Sequence, residues 1–181
     1  MKHLKSVAFA LGILLALNAT CGAEGGKMAI ARLLNPQGEK IGVATLTEGS
    51  EGVKIVAHVH SLTPGPHAFH IHSVGKAEPP SFKSSGGHFN PYGKSHGLKN
   101  PHGRHAGDLI NLQVGPEGVG TVVVIASLVT LGEGENSLFD EDGSAIVIHA
   151  GPDDNNPNDD PDNTAGNAGK RVACGIIEKL K

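Results

Sequence analysis

Apolar and polar residues alternate with a period of two along much of this chain. Across 52–61, Val53, Ile55, Ala57 and Val59 alternate with Lys54, Val56, His58 and His60, which predicts a strand with one buried face and both histidines turned outward. Comparable short runs predict strands over 27–34, 40–48, 67–71, 109–114, 121–128, 145–149 and 171–180. Turn formers separate them, as in Asn35-Pro36-Gln37-Gly38, Gly115-Pro116-Glu117-Gly118 and Asp140-Glu141-Asp142-Gly143. No helical period of useful length appears. Eight antiparallel strands predict an all-β domain closed, or nearly closed, into a barrel, because closure removes exposed edges.

Two stretches break this pattern. Segments 73–104 and 150–167 are rich in Gly, Pro, Ser, Asn and Asp and too long for simple connections, so they read as functional loops. The second is acidic and alone would resemble a disordered linker, but its place between two strands predicts that it folds over a site.

The N-terminus follows a different pattern. Lys2 and Lys5 precede an apolar run over 7–17, and small residues follow at Ala19, Cys21, Gly22 and Ala23. This is a secretory signal pattern, too short to span a membrane, with cleavage expected after Ala23. Residues 1–23 are thus expected to be an export signal and 24–181 a single domain, placing the protein in the periplasm or outside the cell. The alternative, lipid anchoring through Cys21, is disfavoured by Asn18, which stands where such sites usually carry an aliphatic residue.

With 26 Gly, 11 Pro and only 3% aromatic residues, the core must be built from Val, Ile, Leu and Ala. A formal charge of −3 and no interleaving of aromatics with Lys and Arg exclude a nucleic-acid footprint. Nothing in the sequence sets the oligomeric state, and monomer and homodimer both fit.

The candidate chemistry lies between His67 and Asp108. His70, His72, His88, His96, His105 and Asp108 are more donors than one tetrahedral metal can use, so two metals sharing a ligand fit better. In a strand, His70 and His72 share one face while Ile71 takes the other. His88, His96 and Asp108 sit among loop formers that can bend round a cation. Nitrogen with carboxylate suits zinc, and an all-imidazole set with an open position suits copper. His58 and His60 repeat the spacing, but no further ligand type lies near them and they read as surface residues.

The segments Gly65-Pro66-His67-Ala68-Phe69-His70-Ile71-His72, Gly86-Gly87-His88-Phe89-Asn90-Pro91, Arg104-His105-Ala106-Gly107-Asp108, Ile148-His149 and Gly166 to Gly175 together resemble the copper/zinc superoxide dismutases, bacterial exported type. The resemblance runs from about Met28 to the C-terminus. It implies a Greek-key β-barrel, an immunoglobulin-like sandwich with two long loops forming the metal site. It further implies copper on His70, His72, His88 and His149, and zinc on His88, His96, His105 and Asp108. Asp153 is implied as the outer carboxylate between His70 and His96, and Arg171 as the arginine that attracts a small anion.

The implied reaction is disproportionation of superoxide to oxygen and hydrogen peroxide, with His88 supplying a proton, as protection against superoxide outside the cytoplasm. The alternative reading is a metal storage or delivery protein on the same barrel, which would have no need for both His149 and Arg171. One departure stands out. Family members tether the first loop to the last strand by a disulfide, and Ala77 stands where the loop cysteine is expected, leaving Cys174 without that partner.

Overall fold

The computed structural model describes residues 26–156 and 165–180. The expected export signal and Cys21 lie outside the described residues, as do 157–164 of the acidic loop. Nine strands are present among the described residues: β1 (Met28–Leu34), β2 (Lys40–Gly49), β3 (Gly52–Val59), β4 (Gly65–His67), β5 (Phe69–His72), β6 (Leu112–Val114), β7 (Gly120–Ala126), β8 (Ala145–His149) and β9 (Arg171–Lys179). The only helical element described is a single 3-10 turn at Lys83–Ser85.

All pairings between strands are antiparallel, in the order β4-β6-β7-β3-β2-β1-β9-β8-β5. The connection from β3 to β4 passes over β7 and β6, which is the Greek key. Eight strands were expected, and the ninth arises because the expected 67–71 strand changes partners midway. β4 pairs with β6, whereas β5 pairs with β8. At Ala68 the N–H donates to Gly151 O at 2.8 Å and the carbonyl accepts from His149 N at 3.0 Å. The two end strands are thus consecutive in the chain, and the barrel is closed by its own backbone at Ala68.

The alternation works as expected in β3, where Val53, Ile55, Ala57 and Val59 are buried and Lys54 and His58 are exposed. Leu33, Leu46, Ile55, Phe69, Ile71, Ile146 and Ile148 fill the barrel interior, all fully buried. Strand β8 is buried on both faces. Its Ile146 and Ile148 point into the barrel, while Ala145 and Val147 join Phe82 and Cys174 in a second apolar cluster outside it. The 73–87 segment therefore lies over the outer face of β8. His70 and His72 share that outer face, cross-strand from Val147 and Ala145.

The expected 109–114 strand shortens to Leu112–Val114. The Asn111 side chain is committed elsewhere, donating to Asp153 O at 3.0 Å and accepting from Asp153 N at 2.9 Å.

Candidate metal centre

Three segments far apart in sequence are laced together by backbone bonds around Gly107. Ile71 N donates to Gly107 O, Phe89 N to Ile71 O and Gly107 N to Phe89 O, each at 2.8 to 2.9 Å. A side chain at Gly107 would run into Ile71 O and crowd Phe89 N, so glycine is required here. This lacing brings β5, the His88 segment and the turn ending at Asp108 to one point.

Two adjoining clusters result. One ligand atom from each of His70, His72, His88 and His149 lies within 4.8 Å of the others, and the same holds for His88, His96, His105 and Asp108. His88 belongs to both. His67, by contrast, is buried beside the site, within hydrogen-bond distance of His149 O (2.6 Å) and Thr63 O (2.8 Å), and is not part of either cluster. His58 and His60 stay on the surface, bonded to Thr121 and Ser61.

In the second cluster, Asp108 divides its work. Its Oδ2 accepts from Gly97 N and His105 N at 2.9 and 3.1 Å, which holds the carboxylate in place. Its Oδ1 faces His88 Nδ1, His96 Nδ1 and His105 Nδ1 at 2.8, 3.1 and 3.3 Å. Tetrahedral zinc with bonds near 2.0 to 2.1 Å needs ligand atoms about 3.3 Å apart, so this set fits zinc with small adjustment.

In the first cluster the outer nitrogens are bonded and the inner ones are not. His70 Nε2 donates to Asp153 Oδ2 at 2.7 Å, His72 Nδ1 to Gly86 O at 2.9 Å and His149 Nδ1 to Gly169 O at 3.1 Å. His70 Nδ1, His72 Nε2, His88 Nε2 and His149 Nε2 are buried without a hydrogen-bond partner. Buried imidazole nitrogens are normally satisfied, and four such exceptions converging at one point fit a metal with four nitrogen donors.

Electrostatics separate the two clusters. Burial pushes His70 down to about 3, His72 to about 2 and His149 to about 4, so these rings are neutral and ready to bind metal. Burial also lowers His88. Burial opposes charge at His96 too, but its hydrogen bonds to Asp108 and Asp153 prevail and raise it to about 9. Burial works against ionisation of Asp108 and Asp153, yet the surrounding histidines hold both well below the usual carboxylate range.

Asp153 links the clusters, accepting from His70 through Oδ2 and from His96 Nε2 through Oδ1 at 3.1 Å. Gly166, with φ of 63°, lies so close that any side chain would strike the Asp153 carboxylate. Asn111, which grips the Asp153 backbone, was not singled out from the sequence. Its only signal there is its place three residues after Asp108.

Arg171 stands at the rim, half-buried. Its Nη1 donates to Phe82 O (2.7 Å) and Ser85 Oγ (3.2 Å), and its Nη2 to Gly86 O (2.7 Å). Three of five N–H groups thus hold the 73–87 segment, a role the sequence did not suggest. The remaining two can meet an anion.

Cys174 is fully buried in the outer apolar cluster, with Ala77 packed against it. It is free, and burial pushes its thiol up to about 11. In the folded protein it should not react with a thiol reagent at neutral pH and should react on denaturation, as kinetic thiol titration would show.

An antiparallel barrel whose outer face carries two adjoining donor clusters, one purely imidazole and one closed by a carboxylate, with a histidine in common, defines a two-metal protein. The family profile described as copper/zinc superoxide dismutase matches residues 40–177. The chain belongs to the copper/zinc superoxide dismutase family. It is 50% identical over 179 residues to superoxide dismutase (Cu-Zn) 2 of Aquifex aeolicus, covering 98% of this chain and 99% of the relative. Superoxide dismutase (Cu-Zn) 1 of the same organism is 51% identical over 150 residues, covering 82% of this chain and 86% of the relative. Among solved structures, a double mutant of a superoxide dismutase-like protein from Bacillus subtilis is 42% identical with a TM-score of 0.76, covering 81% of this chain and 95% of that one.

Proposed function

We propose that this protein disproportionates superoxide at a centre in which His70, His72, His88 and His149 hold copper and His88, His96, His105 and Asp108 hold zinc. The observation that carries the reading is the set of four buried, unpartnered imidazole nitrogens beside a carboxylate-bearing set that shares His88. Bound copper supplies the one-electron exchange by which two superoxide anions and two protons become oxygen and hydrogen peroxide.

The chain's own residues do the rest. The His88 ring is fixed at Nδ1 in the zinc set, so its Nε2 is the atom at which a proton is held and passed to product. Asp153 sets the ring orientations of His70 and His96 together, because one carboxylate accepts from both. The zinc set is complete with four protein donors and serves structure and electrostatics rather than substrate binding.

Arg171 orients the incoming anion. Lys83, Lys170 and Arg171, with Pro36, Pro80 and Val172, line a cavity of about 540 Å³ that has no acidic side chain among its described lining residues. That basic surface offsets the acidic loop and draws small anions toward the site. Arg171→Ala should lower turnover several-fold and weaken inhibition by small anions. Steady-state kinetics at low ionic strength check this, and unchanged values would remove Arg171 from the anion path.

We further propose that 1–23 direct export and 24–181 form the functional domain, which acts in the periplasm or outside the cell, with anchoring through Cys21 the alternative. No helix among the described residues is long and apolar enough to cross a membrane. The deciding experiment is superoxide consumption by protein loaded with both metals. Inactivity with copper bound would overturn the enzymatic reading in favour of metal storage or delivery.

A further inference from the structure

Phe82 occupies an unusual place for a loop residue. It lies in the Pro79-Pro80-Ser81-Phe82 run of the first loop, adopts a left-handed backbone with φ of 54°, and is fully buried. An L-residue with a Cβ resists that conformation, so packing must hold it there. The packing is specific. Its ring sits with Ala145 and Val147 of β8 and Cys174 of β9, and Ala77 packs against the same group. These side chains fill the ground between the first loop and the last strand, with Cys174 a free thiol among them.

From Phe82 a short chain of bonds reaches the metal centre. Its carbonyl accepts from Arg171 Nη1 at 2.7 Å and from Ser85 Oγ at 2.9 Å. Arg171 Nη2 donates in turn to Gly86 O, and that carbonyl also accepts from His72 Nδ1. The Gly86 carbonyl therefore fixes which His72 nitrogen carries the proton, leaving Nε2 to face the cluster. Ala145, a member of the same apolar cluster as Phe82, is directly cross-strand from His72.

We propose that Phe82 is a positioning residue for His72. It acts as a non-covalent latch that seats 73–87 on the barrel, keeps the Gly86 carbonyl in place through Arg171, and so orients the His72 ring without dependence on a disulfide. The proposal rests on the reading that His72 binds copper. It assigns Phe82 no contact with substrate, and its effect passes entirely through loop position.

The test uses the full chain loaded with copper and zinc, as wild type, Phe82→Ala and Phe82→Leu. Three quantities are measured: the copper(II) paramagnetic resonance spectrum, the rate of copper release to a chelator, and the zinc content. Phe82→Ala should release copper roughly tenfold faster or more, the loss typical when a group that orients a metal ligand is removed. Its spectrum should show altered copper hyperfine splitting while zinc stays bound. Phe82→Leu, which keeps an apolar side chain on the same cluster, should fall between the two.

Wild-type spectrum and release rate in Phe82→Ala would overturn the proposal. Parallel loss of zinc and copper would also overturn it, since that is the mark of general destabilisation. Should Phe82→Ala fail to fold, Phe82→Leu decides, and release as slow as wild type there would count against the latch. Wild-type protein that takes up no copper would instead sink the reading of the metal centre on which the proposal rests.

Discussion

Replacing His88 by Ala should uncouple the two metals and reduce superoxide turnover by roughly a hundredfold or more, the lower range of what a positioned proton donor contributes. His88 is the one ring in contact range of all the others. Its centroid lies 4.1 Å from that of His70, 5.0 Å from His72, 5.1 Å from His96, 5.4 Å from His105 and 6.4 Å from His149. Removing it takes a donor from both clusters at once and leaves Asp108 Oδ1 without its nearest partner. The measurement is the copper(II) resonance spectrum recorded with and without zinc. In wild type the two spectra should differ, and in His88→Ala they should coincide. A variant spectrum that still responds to zinc would refute the shared ligand.

The second large effect concerns the metal-free protein in acid. His70, His72 and His149 are held near 3, 2 and 4 in the folded chain by burial, against 6.5 when unfolded. A group with a lowered folded value binds its proton more readily in the unfolded chain. Stability is therefore full above about 6.5 and falls as pH drops toward 4, where the unfolded histidines are charged and the folded ones are not. Each such proton changes stability by about 1.4 kcal/mol per pH unit, so three together reach on the order of 4 kcal/mol per unit.

A single domain is stable by only about 5 to 15 kcal/mol, so this is a large fraction. His96 runs the other way. Raised to about 9, it stabilises fully below 6.5 and loses that contribution only as pH rises through 9, so it leaves the acid loss unchanged. The carboxylates add to the loss only below about 4, where the unfolded ones begin to take up protons while the folded ones, held lower, stay charged. The apoprotein's melting temperature should thus fall by about ten degrees between pH 6 and pH 5, given roughly 2 to 4 °C per kcal/mol at this size. Bound metals compete with protons for the same nitrogens, so the loaded protein should shift far less. Calorimetry of both forms across pH 7 to 4 checks this, and a flat apoprotein profile would contradict it.

Much of this architecture could be read before any coordinates. Strand β3 declared itself through strict alternation because its inner face meets only apolar side chains. The pairing of His70 with His72 followed from the same period. What alternation cannot encode is partner choice, so the change of neighbour at Ala68 was invisible, and a single run of residues became two strands. The unpaired 109–111 stretch was hidden for a related reason, since Asn111 answers to Asp153 rather than to a neighbouring strand.

Asp153 itself could be separated from the acidic residues around it only by resemblance, because nothing local distinguishes a carboxylate that will be buried between two imidazoles from one that stays in water. Arg171 too was placed near the site only by resemblance, since an arginine that begins a strand otherwise reads as a surface charge, and its bracing of the first loop was illegible. Phe82 carried no signal at all in Pro80-Ser81-Phe82-Lys83. Its importance exists only once β8 presents an apolar outer face.

The covalent closure at Ala68 has a mechanical consequence. A barrel with an even ladder all the way round has no preferred place to open, but here the ladders near the closure are short, β6 with β7 over one residue pair, β4 with β6 over three and β5 with β8 over four. The β5–β8 ladder, next to the closure, is one of the short seams along which tension or a thermal fluctuation would part the wall. His70 and His72 lie on one bank of the seam and His149 on the other. A cation gripped by all three would therefore rivet that seam, and the centre that performs the chemistry would also fasten the vessel that carries it.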